Sequence, residues 1–425
     1  MKSWKKIGLT LMATATALTL SACGGNSSNA SGGSNGKVTI QFMHWGGTDT
    51  YKGSYKDRIA AFEKANPKIN VKVITIGDNY DTKLQTMIAG NKAPDVAQVA
   101  EDGTGFASKN AFIDLGSYIK KSNMDLNATY GGASELYKWK GKTFGIPDRG
   151  GAAMLYYNKD MFDKAGLKYP DANWTVQDYY DAAKKLTLKD SSGKITQYGS
   201  NYADYQLPWG SFLMTNGGSV VKGKKATVET AAAKKTFTDY LKYFKETGVP
   251  YQVSEDKVNR FQAKKVAMSF DGMWWIRPNA QIKGLNFGIA PAPGKYAWST
   301  GSALTISRQS DKAHQDASWK FIKYMTGKKA QQLLGHSLYD VPANISVLNS
   351  KEFQDQKVNG KKLDLSVIAE DQKRVKIDGI LKGPWYTEAM GECTNEVKEM
   401  LLGHMTPAQM TKKLQSKLTG ILAKY

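Results

Sequence analysis

What most constrains this chain is the regular exchange of two hydrophobic periods just inside its N-terminal region. Val38-Thr39-Ile40-Gln41-Phe42 alternates as a strand does and stops at Met43-His44-Trp45-Gly46-Gly47, a loop signal. Tyr55, Ile59 and Phe62 then recur at helical spacing, and Pro67 follows that helix. Residues 70–76 (NVKVITI) predict a second strand; Leu84, Met87 and Ile88 mark a second helix ended by Gly90, and residues 94–99 open a third strand. Strands separated by helices imply a mainly parallel α/β sheet, and ligands of such sheets sit beyond the carboxyl ends of the strands. Trp45, then Asp78-Asn79, then Glu101-Asp102-Gly103 follow three successive strands, so one rim should carry an aromatic and several polar or acidic groups.

A second α/β stretch starts near Leu155-Tyr156-Tyr157-Asn158. Thr175 is expected to cap a helix, with Asp178 three residues on. Residues 231–247 and 316–334 read as helices, and residues 266–270, 287–290 and 303–306 as strands. The C-terminal part from Thr387 reads as helix, broken at Gly403 and Pro407. At 425 residues the chain is long enough for two lobes, and 41% hydrophobic with 11% aromatic residues suffices to fill their cores.

The first 22 residues read as an export signal. Lys2, Lys5 and Lys6 precede a short apolar run, Ile7 to Leu20, and small residues follow. Leu20-Ser21-Ala22-Cys23 looks like a bacterial lipobox, with Cys23 the lipid-modified residue; the plainer reading is an incidental thiol beside an ordinary cleavage site. After Cys23, residues 24–36 contain no apolar side chain larger than Ala, and residues 23–36 read as a tether. Together these predict a body lipid-anchored at the extracellular face of the cell membrane. Cys393 is the other cysteine, so lipidation of Cys23 would leave no intramolecular disulfide. The formal charge of +21 falls by three without the signal lysines. Its lysines are scattered and no nucleic-acid module is visible, so a solvated basic surface is the expectation and nucleic acid is not an expected partner.

With these elements in place, the chain resembles the extracellular solute-binding proteins of ABC importers, in the sugar-binding group that includes the maltose-binding protein. Ala89-Gly90-Asn91-Lys92-Ala93-Pro94-Asp95-Val96, Gly141 to Pro147 with Leu155 to Phe162, Ala267-Met268 through Asp271-Gly272-Met273-Trp274, Phe287 to Gly294, and Gly403 to Pro407 match that group's elements in order. The resemblance implies a two-lobed periplasmic-binding-protein-like fold of type II, α/β, joined by hinge segments. Residues 37–147 plus 272–310 would form the first lobe, and 148–271 plus 311–425 the second. It implies a monomer that holds a sugar in the interlobe cleft, closes on it and hands it to the transmembrane subunits of an ABC permease.

A sugar ring offers apolar C–H faces to aromatic planes and a fringe of hydroxyls to carboxylates, amides and Arg. The resemblance assigns sugar contact to Trp274, to Trp385-Tyr386 and to Asp102. Where relatives carry a tryptophan three residues before that acid, this chain has Val99. The missing platform argues against maltose itself; Trp45 and Trp209 are candidate replacements, and the number of candidate aromatics points to a di- or oligosaccharide. Asp148 and Arg149 are candidate polar contacts at the hinge, and Gly301-Ser302 could let backbone approach the ligand. Trp274 and Trp275 are adjacent, so one of them is expected in the core; the same holds for Tyr156 and Tyr157. Of Glu101 and Asp102, one could be merely solvated, and Asp271 could serve the hinge or the ligand.

Catalytic, metal and cofactor motifs are missing: His44, His314, His336 and His404 are scattered, and there is no H-E-x-x-H, C-x-x-C, G-x-S-x-G or P-loop. No cofactor and no metal are expected. The rival readings are a secreted carbohydrate-active enzyme, which needs two carboxylates across a scissile bond, and a cell-wall or adhesion binding protein.

Overall fold

In the computed structural model, residues 36–201, 204–248 and 259–425 are described. The expected signal peptide, the lipid-bearing Cys23 and all but the last residue of the tether lie outside them.

The main strands are β1 (Val38–Trp45), β2 (Ile69–Ile76), β3 (Val96–Val99), β4 (Gly145–Arg149), β5 (Met154–Asn158), β6 (Met268–Asp271), β7 (Phe287–Pro291) and β8 (Ser302–Ile306). The first sheet has the order β2-β1-β3-β8-β4. Its three N-terminal strands are parallel, whereas β8 runs antiparallel to both β3 and β4. The second sheet, β6-β5-β7, is antiparallel throughout. Here the pairing departs from the expected parallel pattern, for a topological reason. β5 carries the chain away from the hinge, and β6 and β7 carry it back, so Asp271 and Pro291 both end opposite Met154.

Helix α1 (Lys56–Ala65) and helix α2 (Tyr80–Ala89) cross over between the first strands. In the second lobe, α3 (Val176–Leu186) starts at Thr175 with the expected capping box: the Thr175 hydroxyl accepts from Asp178 N at 3.1 Å and Asp178 Oδ2 accepts from Thr175 N at 2.8 Å. Helix α4 (Gln206–Thr215) and helix α5 (Ala231–Thr247) pack beside it. The helix predicted over 316–334 is two helices, α6 (Lys312–Met325) and α7 (Lys328–Ser337), parted at Thr326-Gly327. Helix α8 (Tyr386–Leu401) and helix α9 (Pro407–Leu422) close the chain, separated by Gly403 at φ +85°.

The expected lobe boundaries need three corrections. β4 runs to Arg149 in the first sheet, so Asp148 and Arg149 belong to the first lobe and not the second. β7 pairs with β5, so residues 272–291 accompany the second sheet. Helix α6 lies on the first sheet: Phe321 sits 5.3 Å from Phe42 and 5.2 Å from Phe62, ring centre to ring centre. Helix α7 follows it there, because Gln331 Nε2 donates to Asp148 O at 2.8 Å. Apolar faces of similar period carry no label saying which sheet they will cover, so the sequence did not distinguish them.

Three chain crossings lie side by side between the sheets. Ala153 N donates to Trp298 O at 2.9 Å, and Thr300 N to Gly151 O at 3.2 Å. Gly150 N donates to Val341 O at 3.0 Å, which brings in the third crossing. The carboxyl ends of β1, β3 and β4, the start of β8 and the end of β6 all face this junction.

Candidate functional site

A cavity of about 640 Å³ opens between the lobes at that junction. From the first lobe it receives Trp45, Glu101, Arg149 and the Gly301-Ser302 turn. From the second it receives Trp274 and Trp275. Seven of the residues expected at the site are thus brought together by the ends of β1, β3, β4, β6 and the start of β8.

Each is fixed by local structure. Trp45 ends β1 half-buried, its ring edge-on to Tyr80 at 5.4 Å. Arg149, the last residue of β4, bonds Asp340 at 2.5 Å and lies over the rings of Tyr55 at 4.8 Å and Trp45 at 5.9 Å. Its Nε and one Nη are buried without a protein partner, so donors remain for a guest. Glu101 accepts from its own N–H and that of Gly301; burial nevertheless pushes its carboxyl up to about 7. Gly301 is obligatory here, because a β-carbon would come within 2.8 Å of Arg149 O.

Trp274 is 37% exposed, one of few large apolar side chains so placed among the described residues. Its ring folds back over Gly272, where a β-carbon would meet it at 2.1 Å. Asp271 does not line the cavity. Its buried carboxylate receives the backbone N–H of Gly272 at 2.8 Å, and burial pushes its carboxyl up to about 7.

Six further expectations are corrected. Trp209 is 1% exposed, packed between Trp298 at 6.0 Å and Phe237 at 5.9 Å, because every turn of α4 is covered by neighbours. Trp385 is buried, donates to Gly379 O at 3.3 Å and meets Trp139 edge-on, so the last helices keep it. Tyr386 is half-buried behind the cleft; burial, then the charges of Glu101 and Asp102, push its hydroxyl up strongly. Asp102 itself turns to Asp81: burial first, then Asp81 and Glu101, raise its carboxyl to about 8. Tyr156 is wholly buried and donates to Gly272 O at 2.7 Å. Asp148 is also wholly buried, paired with Arg58 and Gln331 inside the first lobe. The register of β4 against β8 slips at Asp148-Arg149, so the two do not simply alternate; Arg58, the partner of Asp148, also lies over the Tyr55 ring, at 5.6 Å.

Sequence reasoning missed Asp49, Tyr205, Gln206, Tyr339 and Asp340, which also line the cavity, as does Trp298. Tyr339-Asp340 lie just before the third crossing, at Val341. Gly53 carried the nearest signal: its Cα faces the Tyr339 ring so closely that a β-carbon would sit 2.1 Å away.

Two sheets, three adjacent crossings and an aromatic, charged cavity between them define a two-lobed binding protein whose guest sits at the hinge. Comparison with known proteins agrees. The family model described as bacterial extracellular solute-binding protein matches residues 57–359, and this chain belongs to that family. The multiple sugar-binding protein of Streptococcus mutans is 26% identical over 80% of this chain and 82% of its own length. The arabinooligosaccharide-binding protein of Bacillus subtilis is 23% identical over 78% and 79%. An ABC substrate-binding protein from Listeria monocytogenes, solved in complex with cycloalternan, superposes with a TM-score of 0.80 at 24% identity, covering 91% of this chain and 99% of that one. The fold is therefore the type II binding-protein fold, and the relatives are named as binding proteins.

Proposed function

We propose that this chain binds a di- or oligosaccharide in the interlobe cleft and presents it to the permease of an ABC importer, without altering it chemically. The observation that carries the reading is the pairing of an exposed, buttressed Trp274 with the under-partnered Arg149 on the opposite lobe. One covers a sugar's C–H face, the other bonds its hydroxyls, and the cavity falls within the roughly 300–1,000 Å³ of small-molecule sites. The names of the relatives support a sugar guest. The segment before residue 37 supports an anchored, extracellular body held by lipid on Cys23, and a monomer suffices because both walls of the cleft come from one chain.

Calorimetric titration of starch- and plant-derived oligosaccharides, with chromatography of the mixture afterwards, tests the reading. Saturable one-to-one binding with the sugar recovered intact is expected. Binding to none of them, or a hydrolysed product, refutes it; hydrolysis would point to Glu101, whose raised carboxyl suits an acid.

A further inference from the structure

The floor of the cleft is three crossings wide. Gly151 and Ala153 bond the Trp298–Thr300 crossing on one side, and Gly150 bonds Val341 on the other. At strand spacing that floor measures about 10 Å across, on the scale of a disaccharide. Tyr339 stands at its outer edge, and both lobes touch its ring. From the first lobe comes Gly53, in the helical turn Tyr51–Tyr55. A β-carbon there would lie 2.1, 2.2 and 2.5 Å from three successive ring carbons, near-equal distances that only a ring face offers. From the second lobe comes Arg277, its guanidinium over the ring at 4.8 Å. Arg277 Nη1 donates to Ser337 O at 2.7 Å and Tyr339 N donates to Ser337 Oγ at 3.2 Å, so cation and ring are tied to one residue. The backbone is bent to put the ring there. Helix α7 ends at Ser337, and Leu338 takes φ +52°, a left-handed conformation rare for a leucine and typical of ligand clamps.

Resting on the reading of the cleft as a saccharide site, we infer that Tyr339 is the end stop of that site: the guest lies with a chain terminus against this ring and cannot run past it. Asp49 and Thr50 line the cavity on the first-lobe side of Tyr339, and Pro278 lines it on the second-lobe side. Gly53 follows Thr50 by three residues, and Arg277 immediately precedes Pro278. The two walls therefore meet through the tyrosine ring, and the cleft is shut at this end. With backbone against one face and a guanidinium over the ring, Tyr339 is a partition, whereas the exposed Trp274 is a platform.

The partition is held on its far side as well. Leu338 is buried in the core cluster of the second lobe that contains Met273 and Ile276, and Asp340 bonds Arg149 of the first lobe at 2.5 Å. Tyr339 thus sits between two anchors, one in each lobe, and cannot swing aside for a longer guest without breaking one of them. Such a stop discriminates by repulsion: it refuses the internal stretch of a polymer and accepts a bare chain end. A ring that merely joined the lobes would change the affinity of every guest alike.

The experiment is calorimetric titration of maltotriose, cellotriose, mannotriose and galactotriose. Each is used bare, as its 4-nitrophenyl glycoside, which extends the reducing end, and as its 4,6-O-ethylidene acetal, which blocks the other end. The proteins are the native chain, Y339F, Y339A and Y339L. For a trisaccharide that binds the native chain bare, at least one of its two capped forms is expected to bind roughly tenfold or more weakly, the scale of one steric clash. Y339F, which keeps the ring, should retain that ratio. Y339A should bring the refused form to within about threefold of the bare sugar, and Y339L decides the matter if Y339A does not fold. Capped forms that bind the native chain as well as the bare sugar overturn the inference and leave saccharide binding intact. So does a capped-to-bare ratio unchanged in Y339A and Y339L, even where both affinities fall. A cleft that takes none of the four bare sugars overturns the stop together with the reading beneath it.

Discussion

Asp148 and Arg149 are consecutive, both buried and both charged, yet the structure gives them different tasks, and one substitution separates them. Asp148→Ala removes the partner of Arg58, a guanidinium 2% exposed whose other bonds go to Ser54 O at 3.1 Å and Met325 O at 2.5 Å. Two carbonyl dipoles do not replace a carboxylate for a cation shut away from water. Breaking such a buried pair costs about 3–5 kcal/mol, chiefly because the surviving charge stays desolvated. For lobes of roughly 150–250 residues each kcal/mol shifts the melting temperature by about 2–4 °C, so a fall of about 10 °C is expected. Scanning calorimetry measures it, and saccharide titration at a temperature where the variant remains folded should give affinity close to that of the native chain. Replacing both partners, R58M with D148L, should recover most of the loss, since an apolar pair of similar volume needs no solvation. Arg149→Gln should show the reverse profile. Asp340, its partner, borders the cavity at 15% exposure, so water can take over part of the bond, and the loss appears in affinity more than in melting. If D148A melts within 2 °C of the native chain and no longer binds sugar, the assignment of Asp148 to the first lobe's interior is wrong.

Three other outcomes follow from the same geometry. Trp274→Ala should weaken saccharide binding roughly tenfold with little change in melting, whereas Trp209→Ala should lower stability by about 3–5 kcal/mol, as large-to-small changes of buried aromatics do; calorimetry of both variants separates them. Asp102 has a folded value raised to about 8 by burial, then by Asp81 and Glu101. Its contribution to stability is therefore fully present below the unfolded value near 4 and is lost as pH rises through about 8. Melting temperature should decline across that window, and D102N should flatten the decline. Asp49, Glu101 and Asp340 outnumber Arg149 among the charged groups lining the cavity, so a uronate-bearing oligosaccharide should bind at least tenfold more weakly than its neutral counterpart at pH 8.5. Equal affinities would show that the acids are screened from the guest.

Local periodicity made much of the architecture legible. The alternation in β1 and β2, the cap at Thr175 and the break at Gly403 are written in neighbouring residues, because backbone geometry within a strand or a helix turn is decided locally. Strand direction in the second sheet and the docking of α6 on the first are decided by contacts such as Phe42 with Phe321, hundreds of residues apart in the chain. The period of an apolar face says that it will be covered, not by what.

The site divides along the same line. Residues at the ends of strands, Trp45, Glu101 and Arg149, could be placed because a strand's end fixes where its next side chain stands. Adjacent pairs could not be resolved by divergence alone. In Glu101-Asp102 and Asp148-Arg149 one member of each reaches the cavity, whereas in Trp274-Trp275 both do. The difference is the local fold: both tryptophans stand on the short helical turn Met273–Trp275 that follows the cleft end of β6. The strand end at Asp271-Gly272, just before them, is the local signal for it. Asp340 has no such signal, since it becomes part of the site only when the third crossing is laid against Gly150, and that contact exists only once both lobes have folded.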